Sequence, residues 1–241
     1  MRSVVAAVLV PVLVVFLLGP YTLFLPSLLE YAVARDVKAR LGVDKQPDVE
    51  LKSDSSLRML AGEFSGGRIV LKNTDLGNVT ATRARIDLDP FDINVWATMR
   101  KGHVVDRDPR SGDVRVDVPE SEVSRLAKAQ SEIPINDVDV HQDGVVVGSE
   151  VSVLGKRFPA SIEGDLGLHD GELVFEPQGL TAAGVRVPDE LADRLLAGTS
   201  FEYPLDRLPY QTTITRVETD EGRIILSGRV PSVPLGAYPG G

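Results

Sequence analysis

A period-two alternation recurs through the body of the chain and limits what it can fold into. Arg83, Arg85, Asp87 and Asp89 fall on one face of an extended segment, and Ala84, Ile86 and Leu88 on the other. Successive side chains of a strand point to opposite faces, so this spacing makes one polar face and one apolar face. Asp113, Arg115 and Asp117 oppose Val114, Val116 and Val118 in the same way. Arg223, Ser227 and Arg229 share a face with Ile225, against Ile224, Leu226 and Val230. Shorter extended segments are expected at 49–52, 68–72, 138–141, 145–147, 161–168 and 173–175. Asp170-Gly171 and Asp220-Glu221-Gly222 have the composition of hairpin turns. Such alternation implies antiparallel sheet, wet on one face and covered on the other.

Three segments read as helices instead. Leu29, Val33, Val37 and Leu41 recur every fourth residue, with Arg35, Asp36, Lys38 and Arg40 between them and Gly42 as a C-cap. Pro119 to Gln130 places Val123, Leu126 and Ala127 on one side. Pro188 to Ala197 starts with a proline, carries Asp189 and Glu190 in its first turn and is followed by Gly198. Many short strands with a few amphipathic helices define an α+β fold. The chain has 1 Trp, 5 Tyr and 7 Phe, so the covered faces are mainly Val, Leu and Ile.

From Ser3 to Leu29 there is no charged side chain. A bilayer core of about 30 Å requires about 20 apolar helical residues, a length this run exceeds. The expected organisation is a transmembrane signal anchor over 1–29, a folded domain over 30–230 and a flexible Pro/Gly-rich tail over 231–241. A cleaved signal peptide is the alternative, with Ala32-Val33-Ala34 as its site. The anchor reading places the protein in the cell membrane, single-pass, with its domain on the extracytoplasmic side. The whole chain has a net charge of -9, so nucleic acid is an unsuitable partner.

Chemistry-bearing motifs are sparse. With 0 Cys there is no disulfide, thiolate metal site, cysteine nucleophile or lipidated cysteine. His103, His141 and His169 are isolated and lack metal-ligand spacing. There is no nucleophile elbow, P-loop or dinucleotide fingerprint. Asp137, Asp139, His141 and Asp143 alternate, but Gln142 and Gly148 occupy positions where a calcium loop needs Gly and Glu. They read as the wet face of a strand entering an Asp-Gly turn. Asp87 and Asp89 read the same way, rather than as a glycosidase pair. Asn78-Val79-Thr80 is a formal glycosylation triplet. Arg68, Lys72, Arg83 and Arg85 form either a patch for lipid phosphates or a salt-bridged sheet face with Asp87 and Asp89. No catalytic residue, metal or cofactor is expected.

Several diffuse motifs follow one another in a recognisable order. Tyr31 to Gly42 is followed by Pro47-Asp48-Val49, then by Leu57-Arg58-Met59-Leu60-Ala61-Gly62-Glu63-Phe64 and Ile86-Asp87-Leu88. Gly184-Val185-Arg186-Val187-Pro188, Phe201 to Leu205, Leu208-Pro209-Tyr210 and a closing hairpin come later. Over roughly 28–230 this resembles the actinobacterial LmeA-like phospholipid-binding family of the cell envelope, which is linked to lipomannan maturation. Ser53-Asp54-Ser55-Ser56 departs from the apolar or proline-containing approach that relatives tend to have before the Leu-x-x-Leu-x-Gly segment. The resemblance implies a tubular architecture, with a curved antiparallel sheet wrapped on a long N-terminal helix and an acyl chain in the cleft between them.

The resulting expectation is a non-enzymatic, membrane-anchored protein that binds phospholipid or lipid-linked glycan in an apolar cleft and supports envelope glycolipid maturation. Leu57, Leu60, Phe64, Ile86, Leu88, Trp96, Val116 and Val118 are the expected lipid-binding residues. The alternative is an envelope scaffold that binds partner proteins.

Overall fold

The computed structural model of the chain describes residues 27–39, 45–76, 79–101, 103–105, 110–131, 134–153, 156–196, 202–205, 208 and 211–233. Its strands are β1 (Asp48–Lys52), β2 (Glu63–Phe64), β3 (Gly66–Leu76), β4 (Val79–Leu88), β5 (Phe91–Asp92), β6 (Arg110–Pro119), β7 (Ile135–His141), β8 (Gly144–Val153), β9 (Lys156–His169), β10 (Glu172–Ala182), β11 (Val185–Arg186), β12 (Glu202–Pro204), β13 (Thr213–Asp220) and β14 (Arg223–Val233). Helix α1 covers residues 27–39. The other helices are α2 (Ser56–Ala61), α3 (Val95–Lys101), α4 (Glu120–Gln130) and α5 (Asp189–Leu196).

One sheet has the strand order β1-β3-β4-β6-β14-β13, and a second has β11-β10-β9-β8-β7 with β12 also on β10. β2 and β5 form a two-stranded ladder. The described pairings are antiparallel, as the alternation requires. The protein is therefore mainly antiparallel sheet with a few helices.

The chain divides into two compact units: residues 1–70, 87–111 and 233–241, and residues 71–86 and 112–232. Strands β3, β4, β6 and β14 contribute residues to both.

In the first unit, α1 buries Leu29, Val33, Ala34 and Val37. Two carboxylates tether this helix: Leu51 N–H donates to Glu30 Oε1 at 3.2 Å, and Val104 N–H to Asp36 Oδ2 at 2.8 Å. Ile69, Leu88, Phe91, Ile93 and Val104 add to the buried apolar set.

In the second unit, α4 packs on β7, and α5 on β10. Val114, Val116 and Val118 are buried on β6, Val138 and Val140 on β7, Val145 and Val147 on β8, and Phe175 on β10. Hairpins organise the strands, two of them through left-handed turn residues. Asp170 and Gly171 take φ of 50° and 85° between β9 and β10, the paired positive angles of the tight turn that matches strand twist. Gly222 closes β13–β14 at φ 68°. Its N–H donates to the Val140 carbonyl, and its own carbonyl accepts from Glu120 N–H, which ties that turn to β7 and to the start of α4.

The expected transmembrane anchor and its single-pass, extracytoplasmic placement are not upheld. No helix among the described residues is long and apolar enough to cross a membrane. Residues 1–26, which carry most of the uncharged run, lie outside the described residues. The run's last residues open α1, where Leu29 is only 2 % exposed and packs within the protein. Nor is the long N-terminal helix of the expected fold shown; the described part of α1 is 27–39. Leu41 and Gly42, the expected end of that helix, lie outside the described residues, as does Asn78 of the glycosylation triplet. Of the expected tail, residues 231–233 belong to β14 and the rest are not described.

Candidate functional site

Helices α2 and α3 flank the same end of the β2–β5 ladder. Glu63 pairs with Asp92 and Phe64 with Phe91; α2 ends just before Glu63, and α3 begins just after Asp92. Both helices are short and start on side-chain caps. The Ser55 hydroxyl accepts from Arg58 N–H at 3.3 Å, and Asn94 Oδ1 accepts from Ala97 N–H at 2.9 Å. These bonds satisfy amides that have no partner inside the first helical turn.

Gly62 ends α2 in the left-handed region, at φ 88°. A Cβ there would lie 2.0 Å from the Ile93 carbonyl oxygen and 3.4 Å from Val95 Cγ2. The end of α2 thus abuts the start of α3, and Ile93 N–H donates to the Gly62 carbonyl at 2.8 Å. Thr98 is buried in α3, and its hydroxyl accepts from Val105 N–H at 3.0 Å.

Behind the two helices stands a buried stack. The Phe64 and Phe91 rings are 4.9 Å apart and inclined by 16°. The Arg110 guanidinium lies 4.7 Å from the Phe91 centroid and also donates to the Asp92 carbonyl. Burial lowers the Arg110 pKa to about 10, against the opposing effect of Asp92. It remains a cation at neutral pH.

The outer surface of this end carries large exposed apolar side chains among charged ones. Leu57 is 76 % exposed on α2; Trp96 and Met99 are 72 % and 47 % exposed on α3. Val95 and Thr98 face inward on α3, so Trp96, Met99 and Arg100 share the outward stripe at helical spacing.

The expected lipid-binding residues separate into two groups. Leu57, Leu60, Phe64, Leu88 and Trp96 belong to the first unit; Ile86, Val116 and Val118 belong to the second. Phe64, Ile86, Leu88, Val116 and Val118 are buried. Leu60 is half-buried, and Leu57 and Trp96 are exposed. Met99, Arg100, Phe91 and Arg110 also belong to this end of the first unit and were not anticipated. The Asn94-to-Ala97 cap spacing was the available signal for α3.

The basic sheet face is at least partly salt-bridged. Arg68 Nε donates to Asp87 at 2.7 Å, and Asp89 accepts from the Ser111 hydroxyl. Asp137, Asp139 and His141 are exposed while Val138 and Val140 between them are buried, the wet-face reading of that strand. A depression of about 480 Å³ lies beside this hairpin, with Asp143, Glu163, Asp165 and Glu221 among its lining residues. Its acidity opposes a phosphate ligand.

Fold and surface together define a β-rich α+β protein that exposes large apolar side chains on its first unit. A family model described as LmeA-like phospholipid-binding matches residues 22–229. The chain belongs to that family. No curated protein matches it, and no solved structure does.

Proposed function

We propose that this protein binds phospholipid through acyl-chain contacts with its apolar side chains, without covalent chemistry. The family match across residues 22–229 carries this reading. The aliphatic composition of the buried faces supports it, because such faces make few polar demands on a hydrocarbon chain. Each methylene removed from water contributes about 0.8 kcal/mol, so a chain of ordinary length binds firmly without a reactive group. Within the first unit, Leu57, Leu60, Phe64, Leu88 and Trp96 are the proposed contacts. Ile86, Val116 and Val118 are the proposed contacts within the second. Lipid-linked glycan is the alternative ligand, and support of envelope glycolipid maturation the proposed role.

The test is native mass spectrometry of the full chain after gentle extraction, followed by titration with phosphatidylglycerol, phosphatidylcholine and a lipid-linked glycan. Retained or titrated phospholipid at micromolar concentration is the expected result. Saturation by the glycan alone would move the assignment to lipid-linked glycan. No bound lipid of any kind would overturn it.

A further inference from the structure

We propose that the outer surface of α2 and α3 is a docking tip that seats the first unit on an anionic phospholipid bilayer, with Trp96 entering the interface. This rests on the phospholipid-binding reading and adds the surface by which a membrane is met.

Three observations carry it. Leu57, Trp96 and Met99 are large apolar side chains left exposed at one end of one ladder, where a solvated helix would carry polar residues. They are also held in place. The inward side of α3 is fixed through Val95, Thr98 and the Asn94 cap, and α2 is locked against α3 at Gly62. Docking therefore needs no rearrangement to expose them.

Charge selects the occupant. Arg58 is shared by Asp54 at 2.9 Å and Glu63 at 3.7 Å, and Arg110 donates to the Asp92 carbonyl. Arg100 and Lys101, in the last turn of α3, have no ion-pair partner among the described residues. Arg100 shares the outward stripe with Trp96 and Met99, and Lys101 follows it at the end of α3. An exposed Trp flanked by cations is suited to the boundary between headgroups and acyl chains, where the ring is half in hydrocarbon and lipid phosphates meet the charges. The net charge of -9 for the whole chain makes a local cationic pair the means of orienting this end toward an anionic surface.

Trp96 is the chain's single tryptophan, so its emission reports this site alone. The full-length protein is titrated with vesicles of phosphatidylcholine and phosphatidylglycerol at about three to one. Vesicles of phosphatidylcholine alone, and vesicles with brominated acyl chains, are run in parallel. The expected result is a blue shift with bromine quenching on the mixed vesicles. Arg100→Gln with Lys101→Gln should weaken it about 25-fold, from about fivefold per cation. Leu57→Ser with Met99→Ser should weaken it about tenfold; both sites are exposed and leave the reporter intact.

Emission that stays water-like and unquenched while the protein co-sediments with vesicles would overturn the tip. Equal affinity for vesicles with and without phosphatidylglycerol would overturn the anionic selection. Lipid retained in native mass spectra with Trp96 still in water sinks the docking tip and leaves phospholipid binding standing. Quenched Trp96 with no retained lipid does the opposite.

Discussion

Glu122 on α4 is only 6 % exposed, and replacing it separates charge from hydrogen bonding in the second unit. Its Oε1 accepts from Thr80 N–H at 2.8 Å. Arg125 donates to both carboxylate oxygens, at 2.8 and 2.6 Å. Arg125 holds the Glu122 carboxyl below its ordinary value of 4.5; burial opposes this and the Thr80 amide assists. Because Arg125 is 55 % exposed, solvent screens the ion pair to roughly 0–1 kcal/mol. The Thr80 amide is the costlier partner to lose: leaving it unpaired costs about 1–3 kcal/mol. Glu122→Ala should therefore destabilise by about 2–3 kcal/mol, and Glu122→Gln, which keeps an acceptor for Thr80, by about 1 kcal/mol.

The pH dependence follows from the lowered folded-state value. The contribution of the charge is fully present above the unfolded value of 4.5 and is lost as pH falls through the folded one. The gap between wild type and Glu122→Gln should close as pH falls below 4.5, while the Glu122→Ala penalty persists in part. Urea unfolding followed by far-ultraviolet circular dichroism measures both variants, and exchange of the Thr80 amide gives the local reading. If Glu122→Gln costs as much as Glu122→Ala, or its penalty is unchanged by acid, the division between charge and acceptor is wrong.

Two further predictions concern the first unit and one hairpin. Gly62→Ala must shift the Ile93 carbonyl, since the new Cβ would lie 2.0 Å from its oxygen at φ 88°; it should lose about 3 kcal/mol in thermal unfolding. Gly171→Ala also meets a positive φ, 85°, but with open space around it, so backbone strain alone should cost about 1 kcal/mol. Equal losses at the two sites would show that contact with Ile93 plays no part. Phe64→Ala should destabilise by about 3–5 kcal/mol, and a double-mutant cycle with Phe91→Ala should give a coupling of about 0.5–1.5 kcal/mol. A coupling near zero would deny the stack any energetic role.

The alternation in residues 83–89 and 113–118 was readable because each strand keeps its dry side chains on one face: Ala84, Ile86 and Leu88, and Val114, Val116 and Val118, are all buried. Ile225 broke the pattern. It sits in the polar register of β14 but is buried along with Ile224 and Leu226, since burial on both faces erases a period of two. The hairpins were legible from Asp-Gly chemistry, and α4 from the spacing of Val123, Leu126 and Ala127. Helices α2 and α3 were not, because one or two turns contain too few residues to show a helical period. Their caps, Ser55, Gly62 and Asn94, were the local signals. Trp96 and Leu57 were expected among the lipid-binding residues by type, yet exposure is a property of packing, so the sequence alone could not distinguish them from the buried Val116 and Val118. The uncharged run illustrates the reverse: length and apolarity suggested a span, whereas its last residue, Leu29, is buried in the first unit.

The tethers of α1 have a mechanical consequence. A pull applied at residue 27 along the helix axis loads the Glu30–Leu51 and Asp36–Val104 bonds in shear, together with Leu29, Val33 and Val37. The two bonds join α1 to β1 and to the segment that follows α3, so tension is delivered into the first unit at two places at once. A peeling pull instead meets them one at a time, Glu30 first. The same helix should thus resist traction along its axis and release under traction across it, which makes the direction of load, rather than its size alone, decide whether the first unit stays folded.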